Sequence, residues 1–173
     1  HTLERGYTMY TSNSGMLELR QELAAYLKKT FGLDYNPDTE LLITNGVSEG
    51  LDLAMRAILD PGDEVIMSDP SYVAYPASVL LADGVPVQVP TNCQNGFKLS
   101  APDVESSITG RTKAILIGYP ANPTGATMEM PELAQIADVA KRRDLLVISD
   151  EIYNLLVYQT QPACFACLPG MKD

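Results

Sequence analysis

A run of apolar residues that ends abruptly in an acid constrains this chain more than any other feature of its sequence. Leu145–Ile148 holds four consecutive apolar residues, bounded by Asp144 on one side and by Ser149-Asp150 on the other. Such a run is typical of a strand covered on both faces, as in a parallel sheet. Asp150 would then lie at the sheet edge where open α/β folds bind their ligands, although an acid in this place also commonly caps the following turn.

Short apolar runs alternate with helical patterns along most of the chain. Spacing of apolar residues predicts a first, amphipathic helix over Met16–Thr30, with Gly32 as its stop. The predicted strands are Leu41–Thr44, Glu64–Met67, Val85–Val89, Ala114–Ile117 and Leu145–Ile148. The later predicted helices are Val47–Leu59, Tyr72–Leu81, Pro102–Ile108 and Pro131–Arg143. This alternation predicts a three-layer αβα fold, in which a mostly parallel sheet carries helices on both faces.

Composition and charge exclude several classes of function. The 173 residues are 46% hydrophobic, enough for one sizeable core, and their net charge of -10 disfavours binding to a nucleic-acid backbone. No apolar run reaches the roughly 18 to 20 residues that cross a bilayer, and no signal peptide is present, so we expect a cytoplasmic protein. The one histidine is His1, so a Ser-His-Asp triad within the chain is excluded. We also expect no metal site, because histidine is a common metal ligand.

The cysteines are compatible with a reducing compartment. Their number is odd, at three, which argues against a disulfide framework. Cys164 and Cys167 form a C-x-x-C pair, but no second pair completes a zinc site. We therefore expect free thiols.

A glycine turn after the first predicted strand suits a phosphate group. Asn45-Gly46-Val47-Ser48-Glu49-Gly50 leads directly into a predicted helix. The N–H groups and dipole of a helix N-terminus attract anions, and the Ser48 hydroxyl adds a donor. Glycine turns before helices are common, so this motif alone is a weak signal.

Other predicted strands end in side chains that complement such a turn. Tyr72 follows the second strand, a loop with Tyr119 and Asn122 follows the fourth, and Asp150 and Tyr153 follow the fifth. Parallel strands end at one edge, so these groups are expected to converge, although Tyr119 or Asn122 could each be structural. Together they suit a phosphorylated aromatic heterocycle with a ring nitrogen and a phenolic oxygen, which is a description of pyridoxal phosphate.

Several motifs occur in an order that matches one known family. They are Tyr10-Thr11 with Gly15 and Leu19-Arg20, then Thr44–Leu51, Pro61–Val65, Asp69–Tyr72, Asn122–Gly125 and Ser149–Tyr153. The chain resembles the large domain of a fold-type I, class I/II aminotransferase, a family that depends on pyridoxal phosphate. The resemblance covers nearly the whole chain, and Asn-Pro-Thr-Gly followed by Asp-Glu-Ile-Tyr is its most specific part.

The resemblance implies a role for each cofactor-binding residue at the sheet edge. Asp150 would pair with the pyridine nitrogen and keep it protonated, while Tyr153 and Asn122 would hydrogen-bond the phenolic oxygen. Tyr72 would stack on the ring. Asp150 and Tyr153 are thus the expected catalytic residues of this chain.

The phosphate contacts complete the implied site. Gly46 with the Val47 and Ser48 amides would grip the phosphate, and Tyr10 would reach the cofactor of the partner subunit across a homodimer interface. The resemblance also implies cis peptide bonds before Pro70 and Pro123.

The resemblance divides the chain into residues 1–32, an N-terminal segment and helix, and residues 33–173, an incomplete large domain. In the family, the lysine that carries the cofactor and the arginine that binds the substrate carboxylate come later than the last motif found here. Two further strands of the family sheet lie between the first and fifth strands predicted here. We therefore expect the 173 residues alone to be inactive, and the whole protein to transfer an amino group from an α-amino acid to a 2-oxo acid.

Other functions remain open at this point. A carbon–sulfur lyase or a cyclopropane-forming synthase would use the same cofactor contacts, and a transcription regulator could carry such a domain as a sensor. A dinucleotide enzyme is suggested by Gly46 before a helix and by Asp69 after the next strand. However, this chain lacks the G-x-G-x-x-G motif of such enzymes, and a dinucleotide site would leave Asn122 and Asp150 without a role.

Overall fold

The computed structural model describes residues 3–6, 8–158 and 161–172. The chain forms two compact units, residues 1–45 and residues 46–173. The division after residue 32 concerns the domains of the whole protein and stays a prediction. None of the helices in these described ranges is both long and apolar enough to cross a membrane.

The first unit is built around helix α1, Leu17–Phe31. Glu18 in its first turn and Lys28 and Lys29 in its last turn complement the helix dipole. Gly32 ends the helix in the left-handed conformation, at φ 73°, and its N–H donates to the Lys28 carbonyl at 3.0 Å. The helix predicted over Met16–Thr30 is confirmed to within one residue at each end.

The strand predicted at Leu41–Thr44 is wrong. A strand requires a ladder of backbone hydrogen bonds to a neighbouring strand. In this unit the Ile43 N–H instead donates to the carbonyl of Ser14, in the turn before α1, at 3.1 Å. An apolar run indicates burial, but it does not specify which backbone the segment pairs with.

The second unit contains a four-stranded, all-parallel sheet with the order β2-β1-β3-β4. Its strands are β1 Glu64–Asp69, β2 Val85–Pro90, β3 Thr112–Gly118 and β4 Leu146–Asp150. The remaining four strand predictions are therefore confirmed. The strand with Pro86 lies at an edge of the sheet, as its missing N–H predicts.

In the described part of this unit, four α-helices accompany the strands: α2 Val47–Ile58, α3 Ala74–Leu81, α4 Ala101–Ser107 and α5 Met130–Arg143. Helix α3 begins two residues later than predicted. Its start at Ala74 places Pro76 in the first turn, where backbone N–H groups have no partner within a helix, so the proline is accommodated without a kink.

The helices cover both faces of the sheet, so the predicted three-layer αβα fold is confirmed. On one face, Val65, Met67, Ala114 and Leu116 pack with Leu51 and Met55 of α2 and with Tyr75 and Val79 of α3. On the other, Ile66, Ile115 and Ile117 pack with Val104 of α4 and with Leu133, Ile136 and Ala140 of α5. Successive strand residues point to opposite faces, and both faces are apolar because both are covered.

We expect Ile136→Ala to destabilise this core. Ile136 is a fully buried residue of α5, and truncation of a buried isoleucine to alanine costs about 2 to 5 kcal/mol through lost burial and the cavity left behind. Urea unfolding followed by circular dichroism would measure the change. Gln135→Ala, at an exposed position of the same helix, is the control and should shift the midpoint little; equal effects would contradict the packing described.

Candidate active site

A cavity of about 170 Å³ opens at the carboxyl edge of the sheet. One water molecule needs only about 10 to 15 Å³, so the cavity has room for a substituted ring. Its walls come from the start of α2, the start of α3, the loop after β3 and the segment after β4. The lining residues are Val47, Ser48, Tyr72, Tyr75, Pro120, Asn122, Asp150, Ile152 and Tyr153.

The start of α2 forms one end of the cavity. Gly46 occupies the N-cap at φ 82°, a conformation that glycine adopts without the strain a side chain would bring. This turn directs the first residues of the helix, Val47 and Ser48, toward the cavity. A helix N-terminus with backbone N–H groups and a positive dipole end suits an anion.

Asp150 lies at the last position of β4 and lines the cavity. Its Oδ1 accepts a hydrogen bond from the Ile152 N–H at 3.2 Å, and its Oδ2 accepts one from the Tyr75 hydroxyl at 2.8 Å. The first bond is the turn-capping interaction that an acid after a strand commonly makes. Each carboxylate oxygen has a second lone pair, so Asp150 can also accept from a ligand.

Tyr75 lines the cavity although no sequence motif predicts it as a site residue. Its side chain is buried, with 6% exposed. Burial, and then the hydrogen bond to Asp150, raise the pKa of the Tyr75 phenol well above its usual range. A buried tyrosine normally needs a partner for its hydroxyl, which was the available signal, but the sequence did not show that the partner lies 75 residues away.

Tyr72 and Tyr75 meet edge to face at the same wall. Their ring centroids are 5.7 Å apart and their planes are 88° apart, an arrangement that the aromatic quadrupole favours. Tyr72 lines the cavity as the sequence predicts. The packing restricts its ring, which favours a fixed surface for a flat ligand.

Asn122 is held in a short loop after β3. The Ala121 N–H donates to the Ala126 carbonyl at 2.8 Å, and the Gly125 N–H donates to the Ala121 carbonyl at 2.7 Å. The expected cis peptide bonds before Pro70 and Pro123 are both present, and a third precedes Pro120. The loop thus presents the Asn122 amide to the cavity.

Tyr119, which directly precedes Pro120 of the cavity wall, is structural. Its hydroxyl accepts a hydrogen bond from the Leu99 N–H at 2.9 Å and donates to the Phe97 carbonyl at 3.3 Å. Burial raises the pKa of the Tyr119 phenol above its usual value. Between Tyr119 and Asn122, the two candidates of this loop, only Asn122 lines the cavity.

Glu151 anchors the segment that carries Tyr153. Its Oε1 accepts hydrogen bonds from the Ser149 hydroxyl at 3.0 Å and from the Phe165 N–H at 2.7 Å. Tyr153 itself lines the cavity with 37% of its surface exposed.

The three cysteines lie outside the cavity lining. Cys93, Cys164 and Cys167 are all free thiols. Burial, followed by the nearby Glu151 charge, raises the pKa of the Cys164 thiol.

Tyr10 belongs to the first unit, and its side chain is fully exposed. A role across a subunit interface concerns a second chain, so the expected contact of Tyr10 stays a prediction.

Comparison with known proteins identifies the family. The model for "Aminotransferase class I and II" matches residues 1–172. This chain belongs to that family. It is 50% identical over 172 residues to the protein YugH of Bacillus subtilis (strain 168), and 39% identical over 172 residues to aromatic-amino-acid aminotransferase 2 of Thermococcus litoralis. In each case the match covers 99% of this chain.

A solved structure shows the same fold. The aromatic aminotransferase from Pyrococcus horikoshii OT3 superposes with a TM-score of 0.95 at 38% sequence identity, covering 98% of this chain and 46% of that one. The chain spans 45% of the length of the Bacillus relative and 44% of the Thermococcus one.

We expect Tyr75 and Tyr119, whose phenol pKa values are both raised by burial, to make the stability of the fold fall at high pH. A tyrosine whose pKa is raised by folding contributes stability that is fully present below the pKa of the unfolded chain, which is about 10. As the pH rises above that value, the free energy of unfolding falls by up to about 1.4 kcal/mol per pH unit for each such tyrosine. Tyr119→Phe should make this decline shallower. At neutral pH it should cost about 1 to 3 kcal/mol, because the Leu99 N–H loses its acceptor.

Urea unfolding at pH 8, 10 and 11 would test both effects. Tyr158→Phe is the control, because that side chain is 92% exposed. A decline equally steep in Tyr119→Phe and in the unmodified chain would contradict the burial argument.

Proposed function

We propose that this chain is the cofactor-binding part of a pyridoxal-phosphate-dependent aminotransferase, which moves an amino group from an α-amino acid to a 2-oxo acid. Membership of the family supports the reaction class. The observation that carries the cofactor assignment is the meeting of Asp150, Asn122 and Tyr153 with the ring of Tyr72 and the start of α2 around one cavity.

The donor set of the cavity fits each part of pyridoxal phosphate. Val47 and Ser48 at the start of α2 offer N–H groups and a hydroxyl to the phosphate. Tyr72 offers an aromatic face to the ring. Asn122 and Tyr153 can donate to the phenolic oxygen, and Asp150 can accept from a protonated ring nitrogen.

Asp150 has the central role in this proposal. When bound, the cofactor supplies an electron sink that stabilises negative charge at the substrate α-carbon. The Asp150 carboxylate holds a proton on the ring nitrogen, because a nearby negative charge favours the protonated, positive form. Asn122 and Tyr153 would orient the ring by donating to its oxygen, and the start of α2 would hold the phosphate.

Two further parts of the proposal concern assembly and location. We infer a homodimer in which Tyr10 reaches the cofactor phosphate of the partner subunit; the full exposure of its side chain leaves it available for such a contact. We also infer a cytoplasmic location, supported by an odd number of cysteines that are all free thiols.

In the whole protein, Asp150→Asn should lower kcat by about 100- to 1000-fold, the usual loss when one electrostatic contact to developing charge is removed. Amino-group transfer from a panel of amino acids to a 2-oxo acid would measure it. Asp138→Asn is the control, because Asp138 pairs with Lys141 on α5 at 2.9 Å and lines no part of the cavity. Equal losses of kcat in both variants, or products of carbon–sulfur cleavage in place of a new amino acid, would contradict the proposal.

The 173-residue chain by itself should bind pyridoxal phosphate noncovalently and catalyse no transfer. Among the residues that line the described cavity there is no lysine to carry the cofactor. Lys98 and Lys28 pair elsewhere, with Glu132 at 2.7 Å and with Asp34 at 3.1 Å. Equilibrium dialysis would detect the binding, with Asp150→Ala as the weakened control, and turnover by the purified chain would refute the inactivity.

A further inference from the structure

The Tyr75 hydroxyl reaches along the carboxyl edge of the sheet to the Asp150 carboxylate at the end of β4. Tyr75 lies in the first turn of α3, and its hydroxyl donates to Asp150 Oδ2 at 2.8 Å. The ring is buried in the core that α2 and α3 form with the sheet. Burial and the negative charge of Asp150 both raise the pKa of this phenol, so it remains a hydrogen-bond donor throughout the neutral range.

Gly118 makes this approach possible. It is the last residue of β3 and the register partner of Asp150 on β4. A methyl group added at Gly118 would overlap the Tyr75 hydroxyl and would come within 3.1 Å of the ring carbon that bears it. The tyrosine therefore occupies the space that a side chain at position 118 would fill.

Tyr75 also contacts the other cavity residue of its own segment. Its ring meets Tyr72 edge to face, with centroids 5.7 Å apart. One buried side chain thus touches both the carboxylate and the aromatic wall of the cavity. A residue that only filled the core would need the ring and not the hydroxyl.

We propose that Tyr75 is a positioning residue, which fixes the orientation of the Asp150 carboxylate for its pairing with the cofactor ring nitrogen, and that the missing side chain of Gly118 is a requirement of this contact. The inference rests on the proposed function. It predicts that the Tyr75 hydroxyl matters for recognition of the ring nitrogen and for little else in cofactor binding.

The test uses the whole protein, freed of cofactor, and two probes: pyridoxal phosphate and its analogue in which the ring nitrogen is replaced by a C–H group. Titration by fluorescence gives the affinity for each. The unmodified protein should prefer pyridoxal phosphate. Tyr75→Phe keeps the ring and removes the hydroxyl, so it should weaken pyridoxal phosphate binding about tenfold and change analogue binding by less than about twofold, which reduces the preference.

Gly118→Ala disturbs the contact between Tyr75 and Asp150 in a second way. It should reduce the preference as Tyr75→Phe does, although the Tyr75 hydroxyl is still present. Gly110→Ala is the matched control, because an added methyl at Gly110 meets no atom within 4 Å. In the Tyr75→Phe background, Gly118→Ala should shift the urea midpoint less than it does alone, because the overlapping hydroxyl is gone; this last measurement needs no cofactor.

The outcomes separate the two proposals. If the unmodified protein binds both probes equally, the pairing of Asp150 with the ring nitrogen is wrong and the positioning role falls with it. If it prefers pyridoxal phosphate and Tyr75→Phe keeps the whole preference, the positioning role alone is overturned. Equal weakening for both probes in Tyr75→Phe also overturns it, because that result indicates a structural role in the core.

Discussion

Parallel pairing of four strands is the constraint on which the rest of this structure depends. Because all four run in one direction, the residues that follow them lie along one edge, although they are distant in sequence. The register is equally important: Gly118 lies beside Asp150, so the end of β3 leaves room beside the carboxylate at the end of β4. The cavity is a consequence of this pairing, since its walls are the segments that leave or follow that edge.

The alternation of side chains along each strand then decides what Asp150 contacts. Asp150 is two residues after Ile148, which packs with the α2 and α3 core, and therefore faces the same helices. A shift of one residue would turn the carboxylate toward α4 and α5. Helix α3 places Tyr75 on that face, and the Tyr75 hydroxyl donates a hydrogen bond to Asp150 at 2.8 Å. Burial of the core and orientation of the acid are thus effects of one register.

Much of this arrangement is predictable from the sequence. The strands β1 to β4 appear in the sequence as largely apolar runs between turn residues, and the polar motifs after them identify Tyr72, Asn122, Asp150 and Tyr153. The glycine turn before α2 identifies Ser48, and all five residues line the cavity. Contacts that depend on a partner distant in sequence are not predictable in this way. Leu41–Thr44 has the composition of a strand, but its pairing is set by what lies beside it. Tyr75 and Tyr119 look alike in sequence, yet one bonds a carboxylate and the other a loop backbone.

The prolines of β2 make the two edges of the sheet unequal as hydrogen-bond donors. Val85 and Thr91 donate their N–H groups to the β1 side, at 2.8 and 2.7 Å, so the N–H positions of residues 86, 88 and 90 point outward. Two of these three are proline and cannot donate. Of these three positions only Gln88 can therefore donate to a further strand, whereas β4 contains no proline. A strand that extended this sheet would therefore find a complete set of backbone donors beside β4, which ends at Asp150.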